Sequence, residues 1–523
     1  MKKILFFLFC LPFFSFSQQA DIVIRNGKLL DGTGNSWRYA DVAITSNKIV
    51  AIGKLNEWKA TKEINANGLY IAPGFIDVHT HIEDDEIKNP LASNFIYDGV
   101  TSVVTGNCGL SKTDFGTYFK MFDSLKLSIN VAALIGHNDV RKEVMGSTSR
   151  KPTEEELQKM ESIVDKAMKD GAVGMSTGLI YIPGTYSETS EIVRLAKVVS
   201  KYGGVYASHM RNEGDSVIPA IDEALYIGKE ANLPVQISHF KLSGQQNWGR
   251  SIETIAKIIA ARQEGLDVTI DQYPYTASST SLSTILPDWI LENGYDSIRA
   301  RLNIPELRKK ATKDILKNLA KRKLKHFGYA VVANFKADTT LNGNSIEQIN
   351  LLKGRKHKKE DEVETIFEMM IQGGAGMIFH GMSEDDVKAI MKYPFNMFAS
   401  DASIRIWKQG NPHPRGYGTN ARVLGKYVRE EKVISLEEAI RRMTSLPAQK
   451  FQLSDRGFIK EGYAADIVIF NADEIKDQST FNDPHQYSTG IKYVLVNGKI
   501  ILEDGKQNEV REGKILKLNV SYK

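Results

Sequence analysis

The chain has 523 residues, 42% of them hydrophobic and 25% charged, with a formal net charge of +5. That length exceeds one ordinary core and leaves room for a barrel plus a second module, and the composition is that of a soluble globular chain. So small a net charge gives no reason to expect a nucleic-acid partner or a membrane surface.

At the start, Lys2 and Lys3 precede an apolar run from Ile4 to Phe14, and Ser15-Phe16-Ser17 then offers small residues where a signal peptidase reads them. The run is too short to span a membrane stably. Residues 1–17 are therefore expected to be a signal peptide, leaving a secreted or periplasmic chain. Its removal takes Cys10 and leaves Cys108 as the one cysteine, which cannot form an internal disulfide. In an oxidising compartment a lone thiol is exposed to oxidation unless it is buried or bound to a metal.

The two ends of the remaining chain look alike. Ala20-Asp21-Ile22-Val23-Ile24 is followed by Asn26-Gly27-Lys28 and by Asp41-Val42-Ala43-Ile44. Near the other end, Ala465-Asp466-Ile467-Val468-Ile469 is followed by Tyr493-Val494-Leu495-Val496-Asn497-Gly498-Lys499. Short β-branched runs punctuated by Asn-Gly are hairpin signals. Residues 18–72 and 455–523 are thus expected to form one small β-sandwich domain, with the middle of the chain inserted into it.

That middle, residues 73–454, alternates strand and helix signals. Apolar runs recur at Phe75–His79, Ser102–Thr105, Val131–Ile135, Val173–Ser176, Val205–Ser208, Val235–Ser238, Val268–Ile270 and Asn396–Ala399. Helix starts are legible between them: Thr153 with Glu156, and Ser435 with Glu438, have capping-box spacing. Eight strand–helix units predict an α/β fold of the (β/α)8 TIM-barrel type, with an open doubly wound sheet as the alternative. About 120 residues separate the seventh and eighth strands, far beyond an ordinary connection. They include Arg308-Lys309-Lys310, Lys321-Arg322-Lys323 and Lys356-His357-Lys358-Lys359, and predict a solvated helical insertion at about 281–370 leaving the top of the barrel, where it could cover a site.

The polar residues fall at strand ends. His79 and His81 close the first strand, Cys108 follows the second, His209 and His239 close the fifth and sixth, and Asp401 closes the eighth. This is the face of a barrel where active sites sit. Residues i and i+2 of a strand point the same way, so His79 and His81 can converge on one ion. Nitrogen and thiolate donors favour zinc over magnesium or calcium. His137, closing the third strand, and His380 are weaker candidates, open between a supporting and a structural role.

The chain resembles the amidohydrolase superfamily and, within it, the D-aminoacylases or N-acyl-D-amino-acid deacylases. The segments that carry the resemblance run from Ala72-Pro73-Gly74-Phe75-Ile76-Asp77-Val78-His79-Thr80-His81 through Gly106-Asn107-Cys108-Gly109-Leu110-Ser111 and Gly174-Met175-Ser176-Thr177-Gly178-Leu179. They continue with Ser208-His209-Met210-Arg211-Asn212-Glu213, Gln236-Ile237-Ser238-His239-Phe240-Lys241, Asp271-Gln272-Tyr273-Pro274-Tyr275, Ser400-Asp401 and His413-Pro414-Arg415. The resemblance implies a tightly bound zinc on Cys108, His209 and His239, with His79 and His81 at a second, weaker position or shaping the first. It implies Asp401 as general base, and Lys241, Arg415 and Tyr273 or Tyr275 as receptors of the carboxylate of a small N-acyl-D-amino acid or short peptide. The chain departs from the pattern at Ile82-Glu83-Asp84-Asp85 and over residues 403–410, the positions that bear on acyl-group and side-chain preference. A cyclic amidase of hydantoinase type, a dipeptidase acting before a D-residue and a non-catalytic metal-binding barrel are the alternatives. The last is disfavoured by the presence of Asp401. A phosphate-handling barrel would need a Gly-rich phosphate loop near the last strands, and none is found there.

Overall fold

A computed structural model describes residues 18–518; the expected leader lies outside the described residues. Eight parallel strands form one sheet in sequential order: Phe75–Asp77, Val100–Thr105, Asn130–Gly136, Gly174–Gly178, Val205–His209, Val235–Ile237, Val268–Gln272 and Asn396–Phe398. The sheet closes. Asp401 N–H donates to His79 O at 2.9 Å and His81 N–H donates to Ala402 O at 2.9 Å, so the segment after the last strand pairs with the segment after the first. Closure settles the architecture as a (β/α)8 barrel and removes the doubly wound sheet. The strand Asn130–Gly136 is buried at every residue, as a parallel strand covered on both faces must be.

The helices outside the barrel start and stop where the sequence directs. Thr153 caps the helix Glu154–Asp170 in a reciprocal box with Glu156, and Gly171 ends it with a φ of +116°. Ser435 likewise accepts from Glu438 N–H at the helix Leu436–Met443. The return half of that box is missing, because the Glu438 carboxylate turns to the guanidinium groups of Arg441 and Arg442 instead.

Both ends of the chain build the second body. Strands from 19–73 and from 467–507 are hydrogen-bonded into one nine-stranded sheet, joined where Ile467–Phe470 pairs antiparallel with Tyr70–Pro73. Ile24, Val42, Ile64 and Ile71 from the first end pack with Ile467, Ile469 and Leu495 from the second in one apolar cluster. The two Asn-Gly signals turn out differently. Asn497 and Gly498, at φ of +49° and +77°, link Ile491–Val496 to Lys499–Glu503 as a two-residue hairpin. Asn26-Gly27 instead forms a bulge inside the long strand Gln19–Leu29, where the register with its neighbour shifts. Asp41 accepts from Asn26 N–H at 2.9 Å, and a Cβ on Gly27 would run into the Ile71 side chain. The tail then crosses to the barrel: Val131 N–H donates to Lys514 O and Leu516 N–H to Val131 O.

The insertion is a folded module. Ala277–Ser281 pairs antiparallel with Gly376–His380, which pairs with Ala330–Asn334, and helices between them bury a separate apolar core. It therefore runs from Ala277 to His380, somewhat beyond the expected limits. The polar run Ala277-Ser278-Ser279-Thr280-Ser281 is a strand only because the returning segment pairs with it. Among the described residues, no helix is long and apolar enough to cross a membrane.

Candidate active site and metal centre

Cys108 lies in the turn after the second strand, buried, with a φ of +54°. The turn is pressed onto the ends of the third and fourth strands. A Cβ at Gly136 would collide with the Gly109 carbonyl, and one at Gly178 with the Cys108 carbonyl. Glu83 braces the turn from the other side, accepting from the Thr105 hydroxyl at 2.6 Å and from Gly106 N–H at 2.7 Å. The divergent run after His81 thus supports the Cys108 turn.

Three imidazoles face the thiol. Cys108 Sγ lies 3.3 Å from His79 Nε2, 3.4 Å from His209 Nδ1 and 3.6 Å from His239 Nε2, and the last two nitrogens are 2.8 Å apart. Donors around a tetrahedral zinc ion with one sulfur ligand stand roughly 3.5 Å apart. Buried nitrogen and sulfur donors converging at that spacing fit a zinc-class cation. Two further triads share the cluster: His79 and His81 with Cys108, and His79 and His239 with Asp401, each with donor atoms within 4.8 Å. Burial disfavours the thiolate, but the imidazoles of His79 and His209 outweigh it and hold the Cys108 thiol well below its ordinary range.

Carboxylates behind the cluster set its orientation. Asp271, at the end of the seventh strand, accepts from His239 N–H at 2.7 Å and from the Gln236 amide at 2.7 Å, and faces His79 Nδ1 at 3.6 Å. It thereby holds His239 at its φ of +34°. Glu213 stands 2.8 Å from His239 Nδ1. Asp77 accepts from His79 N–H and Ser400 N–H, each at 3.1 Å, tying the first strand to the last. Sequence reasoning assigned no role to Glu213, Asp271 or Asp77. Their signal was available, since Asp77 lies in the first strand, Asp271 directly follows the apolar run of the seventh and Glu213 lies shortly after His209.

Asp401 also occupies a left-handed position, φ +50°. One carboxylate oxygen is 3.2 Å from His81 Nε2 and 3.6 Å from His79 Nε2, and the other pairs with the Arg415 guanidinium at 2.8 Å. Burial alone would raise this carboxyl, but Arg415 and His79 overcome it and keep it well below the usual carboxylate range. His413 places Arg415: its Nδ1 accepts from Arg415 N–H at 3.0 Å, while Nε2 faces Ala277 O at 2.9 Å. The insertion therefore borders the site, and Tyr181, stacked edge-on against His209, reaches Thr280 of the same strand at 2.9 Å.

The other expected receptors differ among themselves. Lys241 follows the sixth strand, and its ammonium is already engaged by Glu213 at 2.5 Å and by His239 Nδ1 at 2.7 Å. Tyr273 lies between the two cations, its ring 4.5 Å from the Arg415 guanidinium and 5.6 Å from the Lys241 ammonium, with a buried hydroxyl that has no partner. Tyr275 packs against His413, Arg422 and Phe481, and its buried hydroxyl likewise has no partner. His137 bonds Glu191 at 2.8 Å in a buried group with Arg141, which makes its role structural. His380 ends a strand of the insertion and packs against Phe481.

A closed parallel barrel with imidazoles, a thiol and an acid gathered at its carboxyl ends defines a metal-dependent barrel hydrolase. Comparison narrows the class. The model of the amidohydrolase family matches residues 62–502. The N-acyl-D-glutamate deacylase of Alcaligenes xylosoxydans xylosoxydans is 34% identical, with 96% of this chain and 98% of that protein covered. A D-aminoacylase structure with a binuclear metal centre superposes with a TM-score of 0.82 at 33% identity, covering 95% of this chain and all of the other. The N-acyl-D-glutamate deacylase of Bordetella bronchiseptica, solved with zinc and a phosphonate mimic of the tetrahedral intermediate, gives 0.81 at 33% identity over 96% of this chain and all of the other. The chain belongs to the amidohydrolase family.

Proposed function

We propose that the protein hydrolyses the amide bond of N-acyl-D-amino acids, releasing a carboxylate and a free D-amino acid. One observation carries the substrate class: beside Asp401, the buried Nε of Arg415 and the buried hydroxyl of Tyr273 have no partner within the protein. Unpaired buried donors on a cationic wall are the complement of a ligand carboxylate. A neutral cyclic amide, as in the hydantoinase reading, would leave them unpaired. The deacylase relatives match this chain over 95–96% of its length.

Cys108, His209 and His239 would hold a tight zinc, with His79 and His81 available to a second, weaker one. When bound, such an ion polarises an amide carbonyl and activates water. Asp401 stands where it can accept the proton of the attacking water and return it to the departing nitrogen, which leaves poorly as an anion. Arg415 holds Asp401 ionised for the first task and offers its free edge to the substrate carboxylate, fixing the amide over the cluster. Glu213 keeps Lys241 charged and His239 oriented. We also infer export of the mature chain, supported by the leader-like first 17 residues and by a lone cysteine sequestered in the site.

Paired N-acyl-D- and N-acyl-L-amino acids, each as free acid and as amide, test the reading. Turnover of the D-acid is expected, and Arg415→Ala should lower its kcat/KM by about 2 kcal/mol or more. Equal losses on the acid and the amide would show that Arg415 serves Asp401 alone.

A further inference from the structure

The insertion contains a second cluster of metal-competent side chains, remote in sequence from every residue of the barrel centre. Four segments meet there. His326 lies in the turn after the helix Pro305–Lys321, and Glu347 in the first turn of the helix Ile346–Leu352. His357 lies in the short connection that follows, and Glu362 in the first turn of the helix Lys359–Ile371. One donor atom from each of the four lies within 4.8 Å of all the others.

Two separate ion pairs would account for part of this. His326 Nδ1 meets Glu362 at 2.6 Å, and His357 Nε2 meets Glu347 at 2.5 Å. The pairs are not separate. The imidazoles stack face to face, centroids 4.0 Å apart and planes inclined by 21°, which sets the two pairs side by side with one donor atom from each residue within 4.8 Å of the others. Glu362 is wholly inaccessible, with its second oxygen taken by Phe327 N–H at 2.7 Å. Gly328 leaves room for the other acid, since a Cβ there would strike the Glu347 carboxylate. The basic run Lys356-His357-Lys358-Lys359 is solvated surface, as expected, with His357 engaged by Glu347 at its edge. Donors of a tetrahedral zinc site of this kind stand roughly 3.4 Å apart, within reach of small side-chain rotations from the paired arrangement.

We propose that His326, Glu347, His357 and Glu362 form a structural site for a divalent transition ion of the zinc class, fastening the turn at 326 to the two helices of the insertion. Two imidazoles and two carboxylates suit zinc, nickel or cobalt(II); an all-oxygen set would suit calcium or magnesium. The site is independent of the barrel centre and of the reaction it catalyses.

The test uses the full-length protein stripped with chelator and titrated with zinc alone, bound metal being counted per chain. His357 is 52% exposed, so His357→Ala should fold, and His357→Gln provides a second variant of similar size. Both should bind one zinc fewer than the parent, while kcat/KM changes less than twofold. In a Cys108→Ala background, which impairs the barrel centre, one zinc should still bind and should be lost on adding His357→Ala. Zinc should also slow proteolysis between residues 322 and 358 in the parent and not in the variants. Equal zinc counts in the parent and both His357 variants would overturn the proposal and leave two His–Glu ion pairs.

Discussion

Asp401 is poised by its neighbours rather than by its own chemistry. His81 and Arg415 engage its two oxygens, and its left-handed backbone is fixed by the hydrogen bond to His79 O. Asn at this position keeps the shape and the backbone bond but cannot take a proton. Asp401→Asn should fold and retain metal, with turnover reduced at least about a hundredfold, as measured by kcat and metal analysis together. Far from the site, Lys450 gives a prediction in pH. Burial pulls its ammonium down to about 8, although it bonds the Asp267 carbonyl at 2.9 Å. An unfolded lysine titrates near 10.4. Between these values the folded protein has shed a proton that the unfolded chain keeps, so stability rises as pH climbs from about 8 to about 10, by roughly 3 kcal/mol at most. Thermal melts across that window should show the rise, and Lys450→Met should flatten it. The ligand candidates were legible because strand register put them at one rim. What sequence could not show was occupancy: that Glu213 already holds Lys241, or that Tyr273 lies between Lys241 and Arg415 while Tyr275 lies against Arg422, depends on turns whose directions no periodicity encodes.

At the scale of elements, the Cys108 turn is made possible by glycines it touches but does not contain. Gly136 and Gly178 end two neighbouring strands, and each is bare where the turn lies against it. Gly136→Ala should therefore lift the turn and cost the protein its tight zinc without altering any ligand; metal analysis and the melting temperature would both register it. Retention of full zinc would show that the turn can move aside. Strand signals were strong for the barrel because its strands are buried at every residue and most carry apolar runs. They failed for Ala277–Ser281, whose extended form is imposed by its partner, and for Asn26-Gly27, where the same dipeptide that makes a hairpin elsewhere makes a bulge. The difference is whether the strand's partners continue past it.

At the scale of the molecule, three bodies meet. The barrel carries the site, the insertion contributes a strand to its wall, and the β domain ties both chain ends to the barrel. The tail extends that tie: Ser128 bonds Val510 O at 2.9 Å, and Asn497 reaches Asn130 at 2.8 Å, both against the third barrel strand. The repeated Ala-Asp-Ile-Val-Ile runs made the shared domain legible. The tail's return to the barrel was not legible, because it is held by backbone groups and single side chains without a repeating pattern.

That shared domain has a consequence for how the protein is made. Tyr70–Pro73 must wait for a partner that lies about 400 residues later in the chain. Until then, its edge is an open template that other nascent chains can pair with. The thermodynamic cost of joining distant segments grows only slowly with separation, so the delay is one of time rather than of stability. A ribosome delivers the first strands long before the last. The β domain therefore cannot close until its final segment has been made, and the interval before that is when its open edge is most exposed to other chains.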